Sequence, residues 1–65
     1  MNIVLNGQSI NTACSNLKDF LLEQSIDITC VASAIDGDFV PRRCYEETQL
    51  EDNMKIEVVA PMQGG

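Results

Sequence analysis

Two dipeptides, Asn6-Gly7 and Asp36-Gly37, constrain this chain more than anything else in it. Each sits between short strand-like runs. A two-residue hairpin loop of the type that matches strand twist needs positive φ at both central residues, and Asn-Gly and Asp-Gly are the pairs that accept it. The first loop joins Asn2–Leu5 to Gln8–Thr12. Ile10 is the only strongly apolar residue of that second strand, so it is expected at a sheet edge with one side wet. The second loop joins Thr29–Ile35 to Asp38–Val40. Thr29–Ile35 is nearly continuous in apolar character, which reads as a central strand buried at least in part on both faces, with Cys30 a small core residue. Pro41 stops the return strand, which suits an edge.

One helix is expected between the hairpins. Asn16 caps it, and Asp19 stands three residues on, where a capping-box acid belongs, although Asp is shorter than the usual Glu. Leu17, Phe20 and Leu21 then fall at i, i+3 and i+4, on one face. Lys18 and Glu23 lie off that face, and Leu22 is expected to be partly exposed. A helix of roughly Leu17 to Gln24 is too short to persist alone in water, so a sheet must hold it. Ser25–Ile28 is a connector whose isoleucines tuck under the helix end.

Beyond Pro41, Arg42 and Arg43 are the only adjacent cations; an exposed loop balancing nearby acids is favoured over a binding role. Tyr45–Leu50 is a polar connector in which Tyr45 and Leu50 anchor the loop to the core. Glu51-Asp52-Asn53 is a turn. Lys55–Val59 is the last strand, with Ile56 and Val58 pointing one way and Glu57 and Val59 the other. The order strand, strand, helix, strand, strand, strand gives an α+β architecture, a mixed five-stranded sheet with one main helix on one face. The right-handed crossover returns the chain to the same sheet. The apolar last strand belongs in the interior, between the first and third strands and parallel to the first.

Composition limits the rest. Sixty-five residues make one domain, 45% hydrophobic, with one Tyr, two Phe and no Trp, so the core is mostly aliphatic. Ten acids against four bases give a net charge of -6, which argues against nucleic acid and suits a basic protein partner. No apolar run of about 20 residues marks a membrane span, and Met1-Asn2-Ile3-Val4 does not begin a secretory signal. Cys14, Cys30 and Cys44 are odd in number and widely spaced, unlike a disulfide framework or a zinc site. Reduced thiols fit a cytoplasmic location. The chain has no histidine, which excludes a Ser-His-Asp or Cys-His mechanism within it.

The last residues, Pro61-Met62-Gln63-Gly64-Gly65, have a different character from the body. Residues 1–60 are expected to be the folded domain and 61–65 a flexible tail. Pro61 lacks an N–H and marks where the last strand ends. Gly64 and Gly65 have no Cβ and fit a channel too narrow for other residues. The candidate reactive atom is the Gly65 carboxyl carbon. A terminal carboxyl with a pKa of about 3.5 is ionised at neutral pH and is a poor electrophile until activated, for example as an acyl-adenylate.

Three blocks carry a resemblance: Ile3-Val4-Leu5-Asn6-Gly7-Gln8, Ala34-Ile35-Asp36-Gly37-Asp38-Phe39-Val40-Pro41-Arg42, and Ile56 through Gly65. On these the chain resembles the ThiS family of sulfur carriers in thiamine biosynthesis, within the ubiquitin-like β-grasp fold. The resemblance implies a mechanism in which the chain is a co-substrate and not an enzyme, in agreement with its lack of histidine. A ThiF-like adenylyltransferase would use ATP and magnesium, neither bound by the chain itself, to adenylate Gly65. Sulfur from a cysteine desulfurase system would replace the adenylate, and the Gly65 thiocarboxylate would serve a ThiG-like thiazole synthase. The uncovered sheet face, with Val59, Val4 and Phe39, would meet the partner, and Met62 would add an adaptable apolar contact. The three cysteines belong to none of these blocks. Rival readings are a carrier like the molybdopterin synthase small subunit, whose family is usually longer with a different motif before the tail; a ubiquitin-like protein modifier; and a non-catalytic binding module for which the tail is irrelevant.

Overall fold

A computed structural model describes residues 1–60. The segment 61–65, to which the tail reading and the residues Met62, Gly64 and Gly65 belong, lies outside the described residues. The elements run β1 (Asn2–Leu5), β2 (Gln8–Asn11), α1 (Leu17–Glu23), β3 (Ala32–Ile35), β4 (Asp38–Val40), a 3-10 turn (Arg42–Cys44) and β5 (Met54–Val59). The sheet order is β2-β1-β5-β3-β4. β5 lies between β1 and β3, parallel to the first and antiparallel to the second. This is the expected β-grasp arrangement, with both short hairpin partners at the edges.

Both hairpin turns have the predicted chemistry. Asn6 and Gly7 have φ of 49° and 85°, and Asp36 and Gly37 have 49° and 90°. These left-handed values are tolerated by Asn, Asp and Gly where other side chains would crowd the carbonyl.

Helix α1 is tied down at both ends. Its first three N–H groups, which no carbonyl within the helix can reach, all find acceptors, and the fourth makes the first i→i−4 bond, to the N-cap carbonyl. Leu17 donates to the Thr48 carbonyl, Lys18 to Tyr45, and Phe20 to Asn16. Asp19 N donates to the Asn16 side-chain oxygen at 2.9 Å. The capping box is modified: the short Asp19 carboxylate accepts from the Asn16 side-chain amide (3.1 Å) rather than from its backbone. At the other end Ser25 N donates to the Leu22 carbonyl and Ile26 N to Leu21, with Ser25 at φ 63°. That is a Schellman closure with serine where glycine is usual.

The core is the stripe Leu17, Phe20 and Leu21 packed against Ile3, Leu5 and Ile56, closed by Tyr45 and Leu50. Removing each such side chain from water stabilises the fold by roughly 1.5–3 kcal/mol. Ile26 and Ile28 pack against this cluster, as read from the sequence, and Leu22 is exposed.

The expectation for Thr29–Ile35 is corrected. Only Ala32–Ile35 is strand, and only Ser33 within it is fully buried. Ile28 to Cys30 form a turn and bend, and Cys30 is exposed rather than a core residue. The cause is local. Asp27 accepts from both the backbone N and the hydroxyl of Thr29 (3.0 and 2.6 Å), an Asx-type turn that holds the segment out of the ladder. The apolar run is interior in the sheet order but covered on one side only.

Arg42 has a structural use that neither sequence reading anticipated. Its Nε donates to the Ile28 carbonyl at 2.8 Å and its Nη2 to Thr29 at 3.0 Å, fastening this turn to the chain after β4.

Candidate functional site

Period-two alternation sorts the strands cleanly. Ile3, Leu5, Ser33, Ile56 and Val58 face the helix, while Val4, Ala32, Ala34, Phe39, Glu57 and Val59 face away from it. On that outer face Val59 lies opposite Ala32, Glu57 opposite Ala34, and Ala34 opposite Phe39. Phe39 is 69% exposed and Val59 62%, the largest values among the exposed large hydrophobic residues. The two alanines make a low saddle between the two larger residues. The resulting shallow depression, about 260 Å³, is walled by Phe39, Val59, Gly37 and the aliphatic stem of Glu57. Two bulky apolar groups flanking small ones, with a carboxylate at the side, form a surface suited to an apolar partner residue beside a cation.

Of the residues singled out from the sequence, Phe39 and Val59 are therefore brought together on one face. Val4 is on the same face, half-buried, beside Lys55 in the parallel register and so away from the depression. Met62, Gly64 and Gly65 fall beyond the described residues. Ala32 and Ala34 are additions. Their alternate spacing was visible in the sequence, but a strand taken as buried on both sides offered no outward positions to assign.

A second hollow of about 450 Å³ lies around the corner, between the 29–32 segment and Phe39–Arg42, with Tyr45 at its floor. The Tyr45 hydroxyl is not free to act there, because it donates to Ser33 Oγ at 2.9 Å. Its rim holds Cys30, whose thiol donates to Asp27 Oδ2 at 3.4 Å. The Asp27 carboxyl is held below its ordinary 3.8, first by the Thr29 hydroxyl, then by the Thr29 N–H and the Cys30 thiol, with the Arg42 charge a smaller contribution.

The root of the terminal segment sits at the end of this face. Strand β5 closes at Val59, paired there with Ala32 of β3 and three residues past the Leu5–Ile56 pair that ends its register with β1. Glu57 and Val59 turn their backbone groups toward β3. On the β1 side the ladder ends at Asn6, whose N–H donates to the Ile56 carbonyl at 2.9 Å. Among the described residues no group of three or more His, Cys, Asp or Glu side chains is arranged to hold a metal ion. No helix of the described residues is long and apolar enough to cross a membrane.

Comparison with known proteins agrees with the fold. The ThiS family matches residues 3–65 of the chain. A crystal structure of a thiamine biosynthesis protein (ThiS) from Geobacter metallireducens superposes with a TM-score of 0.85 at 22% identity, covering 100% of both chains. At that identity the likeness speaks for the fold. An NMR structure of a thiamine biosynthesis protein from the same organism gives 0.80 at 25% identity, covering 100% of this chain and 88% of that one. No curated protein sequence matches the chain.

Proposed function

The chain belongs to the ThiS family of small sulfur carriers, and from that premise we propose that the Gly65 carboxyl is its working group, activated and sulfurated by partners that dock on the open sheet face. The observation that carries this reading is the coincidence of two features at one end of the sheet. The exposed pair Phe39 and Val59 lies on the face the helix leaves uncovered, and the strand that contributes Val59 runs directly into the glycine-terminated segment.

The chemistry follows from the starting group. A carboxylate oxygen of Gly65 attacks the α-phosphorus of ATP on a ThiF-like adenylyltransferase, which forms the acyl-adenylate and expels pyrophosphate. Magnesium on that enzyme offsets the phosphate charge. A persulfide from a cysteine desulfurase system then attacks the acyl carbon and displaces AMP. A thiol then attacks the donor cysteine's own sulfur in the resulting acyl disulfide, forming a mixed disulfide with that cysteine and leaving the transferred sulfur on Gly65 as the thiocarboxylate. A ThiG-like thiazole synthase receives that sulfur. This chain contributes the substrate carbon and the docking surface, and its partners contribute the catalytic groups.

Two glycines suit the reaction because acyl transfer needs the carbonyl open to in-line attack inside a water-excluding channel. The acidic surface suits a positively charged docking partner, with association steered by charge. The test is ATP-pyrophosphate exchange by a ThiF-like enzyme. Full-length chain is expected to support exchange, and chain lacking Gly65 is expected to support none while keeping its folded circular-dichroism spectrum. Equal exchange by both would overturn the proposal.

A further inference from the structure

The Asn6 side chain makes two bonds that the hairpin does not require. Its Oδ1 accepts from Val58 N at 2.8 Å, and its Nδ2 donates to the Val58 carbonyl at 3.1 Å. Both backbone groups that Val58 turns toward the β1 side are thereby satisfied by a single primary amide. Strand β1 has already left the sheet at Leu5, and its last main-chain contact with β5 is Asn6 N to the Ile56 carbonyl. The amide thus prolongs the β1–β5 ladder by one more step without any strand being there. It ends two residues before Ala60 and the beginning of the terminal segment.

We infer that Asn6 is a positioning residue for the sulfur-transfer reaction: its amide clamps β5 at Val58 and thereby fixes the point and direction from which the Gly65 segment departs. The inference rests on the functional reading above and adds to it a residue 59 positions away in sequence from the reacting carbon. Five residues beyond Ala60 span at most roughly 17 Å when extended. Where that reach is centred decides which partner atoms the carboxyl can meet. Without the clamp, Val58 keeps no partner on the β1 side, and β5 is held past Ile56 by β3 alone. The root can then swing, and the effective concentration of the carboxyl at its reaction partner falls.

Only asparagine does everything asked at this position. Glycine would take the φ of 49° and keep the turn but has no side chain. Aspartate also tolerates the left-handed region, yet it offers an acceptor for Val58 N while setting a carboxylate against the Val58 carbonyl.

The experiment compares wild type, Asn6→Gly and Asn6→Asp in the full-length chain, with two readouts. The first is amide hydrogen exchange in the isolated protein, which involves no partner. Val58 N–H is expected to exchange about tenfold faster in Asn6→Gly, with a smaller change in Asn6→Asp and core amides such as Ile56 nearly unchanged. The second is steady-state adenylation by a ThiF-like enzyme with the carrier as varied substrate. Because docking uses the sheet face and Asn6 acts on the tail root, Asn6→Gly is expected to lower kcat by about threefold to tenfold with KM nearly unchanged, and Asn6→Asp to recover part of it. Unchanged exchange at Val58 overturns the clamp. Faster exchange with an unchanged kcat, or a loss confined to KM, overturns the positioning role. A wild-type chain that no activator adenylates contradicts the sulfur-carrier chemistry instead, and leaves the clamp to be decided by the exchange measurement.

Discussion

Tyr45 and Ser33 form a polar contact inside an otherwise apolar core. Tyr45 is 1% exposed and Ser33 2%, and each hydroxyl has the other as its partner. Changing Tyr45 to Phe keeps the ring and strands the Ser33 hydroxyl, at a cost of about 1–3 kcal/mol. A lowered urea midpoint with an unchanged m-value would register it. Tyr45→Phe with Ser33→Ala should recover most of the loss, since removing both partners is far cheaper than orphaning one. Asp27 supplies a pH-dependent contribution. Its folded pKa lies below the unfolded value, because the Thr29 hydroxyl, the Thr29 N–H and the Cys30 thiol all donate to the charged form. The stabilisation is therefore present above the ordinary value of 3.8 and is lost as pH falls through the depressed folded value. Asp27→Asn should remove that part of the acid dependence and loosen the 27–30 turn, so that a series of thermal melts taken through the acid range falls less steeply than for the wild-type chain. Neither partnership was legible beforehand. Sequence patterns assign Tyr45 and Ser33 to faces, but which hydroxyl meets which depends on a 3-10 turn between them that carries no strong sequence mark.

Helix α1 shows what was legible at the level of elements and what was not. Its start, its buried face and its exposed Leu22 follow from the cap residue and the 3.6-residue period. Its end does not, because the residue that takes the left-handed conformation is Ser25 rather than glycine. Ser25→Gly is accordingly expected to stabilise the domain by about 1 kcal/mol, by relieving the crowding of a Cβ at positive φ. A thermal melt that shifts upward supports this assignment, and a downward shift contradicts it. Leu21→Ala works in the opposite sense. Emptying a fully buried site costs roughly 2–5 kcal/mol, a large share of what a domain of this size has to spare. The hairpins were equally readable, since Asn-Gly and Asp-Gly state their φ requirement outright. The Thr29–Cys30 stretch was misread for a reason that belongs to competition between signals. β-branched and apolar residues favour a strand, but Asp27 two residues upstream offers Thr29 a side-chain acceptor and wins locally.

Taken as one molecule, the protein separates two tasks by position. Under the proposed function, the sheet face with Phe39, Ala32, Ala34 and Val59 is the recognition surface, and the segment that follows β5 carries the reacting group. Substitution of Phe39 or Val59 by Asp removes apolar contact and adds like charge to a surface of net charge -6. Either change is expected to raise KM for the activating enzyme by about tenfold or more, with kcat less affected and folding unchanged. Added salt should also raise KM for the wild-type chain, because steering between opposite charges is screened within about 10 Å at 0.1 M ionic strength. The topology could be derived because β5 is apolar, follows a polar connector and has only one interior place to go. The saddle of alanines and the Asn6 clamp could not, because both depend on register between strands distant in sequence. The most direct test of the whole account is intact mass. Full-length chain incubated with a ThiF-like enzyme, ATP, magnesium and a persulfide donor should gain the increment for one oxygen exchanged for sulfur, confined to the peptide that ends in Gly65. An unchanged mass, or the gain of one whole sulfur atom on a cysteine-containing peptide with Gly65 unmodified, would contradict it.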